Sequence, residues 1–237
     1  CSDLVDLRLV GNSITFIPES LSILTCLKIL VLRRNKINKI AEKALRGSMG
    51  TLELLDLADN KLTKLPERIF RCRNIQELSL QNNVLTHLPV QIGKLRNLRA
   101  LKVQINKLTS LPDSIADLRK IKVLNFERNE LSTLPDTFHS LKYLESFNIN
   151  HNRFEEIPAV IGQLASLAEL QVASNSISEF SEQFVGGPLT TVLKKLWLQN
   201  NNVIDLPLRF AKLKALTECR FDGNPLRSPP IHIAEEG

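Results

Sequence analysis

Histidine is the residue in this 237-residue chain that most readily binds a metal ion, because zinc sites are built from imidazole and thiolate groups at short spacings. The four histidines are His87, His139, His151 and His232. They lie far apart, and none has a cysteine or another histidine at ligand spacing. We therefore predict no metal site.

Phosphate binding and nucleophilic catalysis also lack a motif. The pair Gly93-Lys94 is not part of a glycine-rich loop, because Gly93 follows an isoleucine in a pattern that recurs at Ile161-Gly162. No spacing singles out a nucleophile with a base. We expect no catalytic residue, no cofactor and no small-molecule substrate, and we expect that the chain is not an enzyme.

Asparagine has the strictest spacing of any residue type. It recurs at Asn12, Asn35, Asn60, Asn83, Asn106, Asn129, Asn152, Asn175, Asn201 and Asn224. The interval is 23 residues, with two exceptions of 25 and 26. Because a side-chain amide both donates and accepts hydrogen bonds, a column of ten can bond adjacent turns of a repeating fold. We predict such a ladder.

The segment 75–98 shows the unit that surrounds each asparagine. It reads I-x-x-L-x-L-x-x-N, followed by x-L-x-x-L-P-x-x-I-x-x-L. Alternation in the first half predicts a short strand, and one unit cannot bury its apolar face alone. The period and pattern are those of leucine-rich repeats. We predict an α/β leucine-rich repeat solenoid, a curved right-handed superhelix of about ten repeats, with a parallel β-sheet on the concave face and irregular, 3-10 or short helical returns on the convex side.

Proline stands six residues after the asparagine in seven units, and Pro230 repeats this position. Its fixed φ and missing N–H suit a return segment outside the sheet. Ala41 and Ser181 replace it in the two longer units. We expect the returns 41–51 and 181–192 to bulge on the convex side.

Cysteine placement argues against disulfide crosslinks. Cys1, Cys72 and Cys219 occupy positions that hold leucine in other units, which predicts buried side chains, whereas Cys26 falls at an outward position. The chain has no Asn-x-Ser/Thr sequon. Both features favour a reducing, cytoplasmic setting.

The unbroken repeat predicts a single domain over residues 1–237. The chain begins inside a return and has no atypical capping unit at its start. The repeat pattern breaks after Leu226, and we expect a capping helix to begin at Ile231. We therefore expect the chain to be part of a longer protein.

The net charge of +6 comes from basic residues dispersed along the sequence, which disfavours nucleic acid as a partner. No apolar run reaches the roughly 18 residues of a membrane span.

Outward strand positions form columns across the ten units. The central column is Arg8, Val31, Asp56, Ser79, Lys102, Asn125, Asn148, Gln171, Trp197 and Arg220. The next is Val10, Arg33, Ala58, Gln81, Gln104, Glu127, Asn150, Ala173, Gln199 and Asp222. At about 4.8 Å per strand the sheet spans roughly 40 Å, which suits a protein partner.

The predicted partner-binding residues are Arg8, Arg33, Arg34, Asp56, Lys102, Asn125, Asn148, Asn150, Lys195, Trp197 and Arg220. The arginines of the first two units either orient a partner or pair with nearby acids. The central amides either read a peptide or form a solvated surface. Lys195, Trp197 and Arg220 carry residue types enriched at interface hot spots, although Trp197 could instead pack on its neighbours.

The units xLxxLPxxIxxLxxLxxLxLxxN resemble the intracellular Ras-group leucine-rich repeat proteins, which include Ras-pathway and Scribble-type scaffolds. The resemblance covers essentially the whole chain and implies that a protein partner binds the concave face. The ending GNPLRSPPxxIxxxG looks like the end of the repeat array in multidomain proteins such as Roco proteins, where a GTPase domain and often a kinase follow. No part of such a domain is present in this sequence.

Two functions follow as hypotheses. The first is an intracellular scaffold or adaptor in signalling that binds a protein on its concave face. The second is a recognition or regulatory arm of a larger signalling enzyme, a Roco GTPase or kinase or a ubiquitin ligase, whose catalytic domain lies outside this chain. A third, nucleic-acid binding, would show affinity that falls steeply with salt.

Overall fold

The computed structural model describes residues 3–181 and 183–227. Within them, ten short parallel strands form one sheet, and strand order follows chain order. The strands are Asp6–Arg8, Ile29–Val31, Leu54–Asp56, Glu77–Ser79, Ala100–Lys102, Val123–Asn125, Ser146–Asn148, Glu169–Gln171, Lys195–Trp197 and Glu218–Arg220. The predicted solenoid is confirmed. We number its units one to ten by these strands, and each unit includes the return that follows its strand.

The interior is a continuous column of apolar side chains, because the middle residue of each strand points inward. Leu78, Leu101 and Leu124 are fully buried at this position. Cys72 is buried and Cys219 partly buried, as predicted, and burial raises the pKa of each thiol to about 12. These thiols therefore remain protonated near neutral pH. Cys26 is exposed, also as predicted, and Cys1 lies outside the described residues.

Most returns contain one 3-10 helix. The helices are Glu19–Ile23, Glu67–Arg71, Val90–Lys94, Asp113–Asp117, Asp136–Ser140, Ala159–Gln163, Pro188–Thr191 and Leu208–Lys212. Seven follow directly on the repeated proline, whose carbonyl accepts a local hydrogen bond. In unit five, Ile115 N–H donates to Pro112 O over 2.9 Å, and the Ile115 side chain is buried. Local hydrogen bonds hold this return instead of pairing with a neighbouring strand. The missing N–H of proline therefore removes no hydrogen bond between strands.

The two longer units differ from the others in a way that the sequence pattern did not predict. Two short parallel pairs, Phe16–Ile17 with Lys39–Ile40 and Glu156–Ile157 with Glu179–Phe180, join each longer unit to the unit before it. Turns follow the first pair, and Gly47 packs tightly against return one, because an added Cβ would clash with Ser22 O. The expected capping helix lies outside the described residues.

The predicted asparagine ladder is present from Asn35 to Asn224, that is, for nine of the ten asparagines. Asn129 Nδ2 donates to Val103 O of the preceding unit over 3.1 Å and to Phe126 O of its own unit over 2.9 Å. Its Oδ1 accepts the Leu108 N–H over 3.0 Å. The amides of Asn35, Asn60, Asn83, Asn106, Asn152, Asn175, Asn201 and Asn224 likewise donate to a carbonyl of the preceding unit. Each amide thus bonds neighbouring units as well as its own turn.

The residue before each ladder asparagine adopts a left-handed backbone conformation. These residues are Gly11, Arg34, Asp59, Asn82, Ile105, Arg128, His151, Ser174, Asn200 and Gly223. The positive φ ends the strand and turns the next side chain into the interior. Glycine, asparagine and aspartate tolerate this region, whereas Ile105, with φ of 56° and a β-branched side chain, is strained.

Removal of a ladder amide in mid-array should be clearly destabilising. We predict that Asn129→Ala lowers the free energy of unfolding by about 3 kcal/mol, because it leaves buried backbone groups unpaired in two units. Chemical denaturation measures this change. Asn12→Ala is the matched control, because Asn12 is exposed and, among the described residues, its side chain bonds only Val10 O of its own unit, over 3.4 Å. Equal unfolding midpoints for the two variants would contradict a stabilising ladder.

Relief of the strained backbone should stabilise the fold. We predict that Ile105→Asn raises the free energy of unfolding by about 1 kcal/mol, because asparagine tolerates the left-handed region and the isoleucine side chain is 45% exposed. Ile105→Val keeps the β-branch and should leave stability unchanged. A loss of stability in the asparagine variant would show that isoleucine contributes more through packing than it loses through strain.

Candidate functional site

Strand register places the predicted central column in one row along the concave face. Lys102 lies between Ser79 and Asn125, and Trp197 lies between Gln171 and Arg220. The columns read from the sequence are therefore confirmed as neighbouring positions. Whether a partner can bind at these positions depends on the hydrogen bonds and ion pairs that their side chains already make within the chain.

The charged group at the first units is internally paired. Arg8 Nε lies 3.0 Å from Asp6 Oδ1, and Arg33 Nε lies 2.8 Å from Asp59 Oδ2. Arg34 adds a longer contact of 3.9 Å to the same Asp59 oxygen. Of the two alternatives that the sequence left open for these arginines, the geometry favours charge pairing.

Asp59 is the anchor of this group. Burial alone would raise the pKa of its carboxyl, but hydrogen bonds from Asn82 and Arg33, together with the charges of Arg33 and Arg34, outweigh burial and lower the pKa. The same hydrogen bond and charge raise the pKa of Arg33. Asp59 therefore stays ionised and holds both guanidinium groups.

Several central-column side chains accept a hydrogen bond from their own backbone. The Oδ1 atom of Asp56 accepts Ala58 N–H, that of Asn125 accepts Glu127 N–H and that of Asn148 accepts Asn150 N–H. Each bond spans two residues and satisfies a backbone donor just after the strand. Oδ1 of these predicted site residues therefore has a structural role.

The centre of the face is a connected polar network. Asn148 Nδ2 donates to Glu127 Oε2 over 3.2 Å, and Asn150 Nδ2 donates to Gln171 Oε1 over 3.2 Å. Gln171 in turn donates to Glu169. Lys102 bonds Glu77 Oε1 over 2.6 Å. Glu127 and Glu169 therefore add negative charge to this network of amides.

The most developed cluster lies on the last two strands. Arg220 Cζ lies 5.0 Å from the centre of the Trp197 ring, a cation–π distance. Glu218 Oε1 accepts both Trp197 Nε1–H at 3.1 Å and an Arg220 guanidinium N–H at 2.6 Å. Lys195 is exposed beside them and has no ion partner within the described residues. Glu218 was missed from the sequence, although it precedes Arg220 by two residues and so shares its strand face.

The comparisons with known proteins agree with this architecture. Two family models match the sequence, a leucine-rich repeat region over residues 92–191 and a leucine rich repeat over residues 50–108. The chain is built from leucine-rich repeats. No curated protein sequence matches it.

Solved leucine-rich repeat structures superpose on nearly the whole chain. A protein of Leptospira interrogans is 30% identical with a TM-score of 0.88, covering 98% of this chain and 57% of that one. The plant peptide hormone receptor RGFR1, in complex with RGF2, is 26% identical with a TM-score of 0.75 over 94% of this chain and 40% of its own.

A third neighbour is the ectodomain of the Arabidopsis thaliana membrane receptor kinase GASSHO1/SCHENGEN3, in complex with CASPARIAN STRIP INTEGRITY FACTOR 2. It is 26% identical with a TM-score of 0.69, covering 95% of this chain and 31% of its own. The present repeats thus span a little over half of the bacterial protein and less than half of either receptor.

Three glutamines on the leucine-rich repeat sheet have unsatisfied amide oxygens. Oε1 of Gln81, Gln104 and Gln199 is buried and has no hydrogen-bond partner in the described part of the chain. All three occupy the position two residues after the central column, next to the left-handed turn. Bound water or a partner's donor group would satisfy them.

The described residues offer neither a metal cluster nor a membrane segment. No group of three or more His, Cys, Asp or Glu side chains among them converges at metal-binding distance. None of their helices combines the length and apolar composition needed to cross a bilayer.

The Asp59 anchor predicts a pH-dependent contribution to stability. A lowered folded-state pKa contributes stability above the unfolded pKa of about 3.9, and this contribution is lost as the pH falls. We therefore predict that Asp59→Asn is about 1 kcal/mol less stable relative to wild type at pH 7 than at pH 3. Asparagine also favours positive φ, but that benefit does not depend on pH. Chemical denaturation at both pH values measures the difference, and equal values would contradict the assignment.

Proposed function

We propose that this leucine-rich repeat chain is a non-catalytic protein-binding module, which holds a protein partner on its concave face and acts as a scaffold or adaptor in cytoplasmic signalling. The observation that carries the proposal is the cluster of Lys195, Trp197 and Arg220. Trp197 is the only tryptophan of the chain, and it is half-buried under the Arg220 guanidinium on an open sheet surface.

The cluster has the features of a preorganised binding hot spot. Glu218 bonds both the indole and the guanidinium, so little side-chain entropy remains to be lost when a partner packs on them. Lys195 adds an exposed positive charge without an ion pair among the described residues, which suits an acidic group at the rim of the contact. Tryptophan and arginine dominate measured hot spots, especially where neighbouring side chains exclude water.

The rest of the concave face supports complementarity rather than strong anchoring. Arg8, Arg33, Arg34 and Lys102 are neutralised by their own acids, and Asp56 and Asn125 bond the backbone. Contacts to such groups exchange existing bonds for new ones and contribute little net affinity. We therefore assign the partner's main anchor to units nine and ten. The central network of Asn148 and Asn150 would set specificity.

The structural neighbours support a protein or peptide partner. RGFR1 and GASSHO1/SCHENGEN3 were both solved in complex with a named factor. Those complexes belong to those receptors, and this chain shares about a quarter of its sequence with them. The shared feature relevant to the proposal is the long parallel sheet, which presents side chains at regular spacing to an elongated ligand.

A second candidate function is the recognition arm of a larger signalling enzyme. GASSHO1/SCHENGEN3 is a receptor kinase whose repeat ectodomain superposes on this chain. The superposed part is 31% of the receptor chain. In this case the concave face would present a substrate or regulator to a catalytic domain in the same polypeptide. The full coding sequence distinguishes the two candidates: a catalytic domain in the same chain favours this one, and its absence favours the scaffold.

Affinity capture tests the concave-face proposal. We compare the wild-type chain, a Trp197→Ala, Arg220→Ala variant and a matched Ile23→Ala, Arg46→Ala variant, whose two side chains are exposed on returns one and two. We expect the concave variant to lose proteins that the other two chains capture, with at least about a tenfold loss in affinity for a purified partner. Equal capture by all three chains, with unchanged unfolding midpoints, would eliminate this cluster as the site.

The single tryptophan provides a second readout of the same experiment. A partner seated on units nine and ten should change the emission of Trp197, because the indole would pass from partial solvent exposure into an interface. If a partner binds and the emission of Trp197 stays the same as in the free chain, the partner binds elsewhere on the molecule.

A further inference from the structure

A row of basic side chains lies along the edge of the sheet at which the strands begin. Arg73, Arg96, Arg119 and Lys142 occupy the same position in the returns of units three to six, two residues before the first apolar residue of the next strand. All four are exposed, and within the described residues none has a side-chain hydrogen bond or ion pair. We call these four residues the basic edge.

The basic edge is local rather than a general property of the repeat. The equivalent positions are Thr25 and Gly50 before it, and Ala165 and Thr191 after it. The next one is Lys214, which is exposed but separated from the row by these two uncharged positions. Lys94, Arg99 and Lys120 add positive charge beside the row. The concave face differs, because arginine and lysine residues there lie against acids of the same or the neighbouring unit.

A second, shorter set of side-chain bonds joins neighbouring units beside the basic edge. Asn97 Nδ2 donates to Arg73 O over 3.0 Å, and Asn74 Nδ2 donates to Gly50 O over 2.7 Å. Lys120 Nζ donates to Asn97 Oδ1 over 2.8 Å. A bond between units at this edge therefore fixes the Arg73 backbone, while the Arg73 guanidinium has no hydrogen bond within the described residues.

Apolar surface accompanies the charge. Val90 is 65% exposed and Tyr143 is 63% exposed, although both are large enough to be buried in a core. One depression of about 500 Å³ is lined by Tyr143, Arg119 and Lys142, and another of about 480 Å³ is lined by Val90, Arg73 and Arg96. Both are also lined by Asp117, and the first by Asp113 as well.

We propose that the basic edge is a second docking surface, which binds an acidic peptide segment of a partner protein whose glutamate or aspartate residues are interspersed with apolar side chains. Four unpaired cations attract the carboxylates, and the two depressions accept the apolar residues beside Val90 and Tyr143. The row covers roughly 14 Å, from three strand spacings of about 4.8 Å, which four or five extended residues span.

A peptide explains the mixture of groups better than a polyphosphate does. Asp117 would repel a continuous phosphate backbone, whereas a peptide can place a neutral residue opposite that carboxylate. Val90 contributes nothing to phosphate binding. The surface is separate from the cluster around Trp197, so one chain would bind two partner segments at once, as a scaffold requires.

Fluorescence anisotropy with synthetic peptides tests this proposal. The probe is a short labelled peptide in which pairs of glutamate alternate with leucine, and its control has glutamine in place of glutamate. The edge variant is Arg73→Glu, Arg96→Glu, Arg119→Glu. Its matched control is Lys36→Glu, Lys61→Glu, Lys107→Glu, which makes the same charge change at exposed, unpaired positions on the opposite edge.

We expect the wild-type chain and the matched control to bind the glutamate peptide within about threefold of each other, and the edge variant to bind at least about tenfold more weakly. The glutamine peptide should not bind. The Trp197→Ala, Arg220→Ala variant should bind like wild type, so failure here is distinguishable from failure of the concave-face proposal. A Val90→Ser, Tyr143→Ser variant should weaken binding with every charge retained.

Several outcomes would overturn the proposal. Equal loss in both charge-reversal variants would mean that net charge alone attracts the peptide. Absence of binding at low salt would exclude an acidic ligand altogether. Tighter edge-dependent binding of a labelled oligouridine, or of vesicles containing phosphatidylserine, would assign the surface to nucleic acid or lipid instead of a peptide.

Discussion

The hydrogen bonds of the ladder asparagines are the constraint on which the rest of the structure depends. From Asn35 to Asn224, each amide bonds a carbonyl of the preceding unit and a carbonyl of its own turn, as Asn129 does with Val103 and Phe126. This geometry fixes where every strand ends, because the preceding residue must adopt positive φ to point the amide inward. Once strand ends are aligned, every other position of the unit is aligned as well.

Alignment converts a spacing in sequence into a row in space. Residues 23 positions apart become neighbours about 4.8 Å apart, so a modest and dispersed excess of basic residues becomes the basic edge of units three to six. Dispersion along the chain is therefore a poor guide to charge distribution in a repeat protein. The relevant pattern is periodic, and the returns have to be aligned as carefully as the strands in order to see it.

The fold and the concave columns could be predicted because they depend on residues that every unit repeats. The pairing of side chains could not, because it depends on single residues in neighbouring units. Arg33 meets Asp59 across 26 positions and Trp197 meets Glu218 across 21, and several other acids lie within similar reach.

The short strand pairs beside the two longer returns also escaped prediction, since two-residue strands leave no periodic signal. The positive φ of Ile105 could not be predicted from residue type either. Isoleucine disfavours this conformation, but the repeat imposes it.

The two surfaces differ in how their charges are compensated, and this difference decides what each can contribute. On the concave face, Arg220 is held between Glu218 and the Trp197 ring, so its guanidinium is already fixed in place and its charge is partly compensated. At the basic edge, Arg96 and Arg119 are solvated and unpaired, so they act at longer range and lose strength as ionic strength rises. A partner that carries both an acidic segment and an apolar anchor would meet the edge first and the aromatic cluster second. Because both sites lie on one stiff array, the first contact raises the effective concentration of the second without any change in the fold.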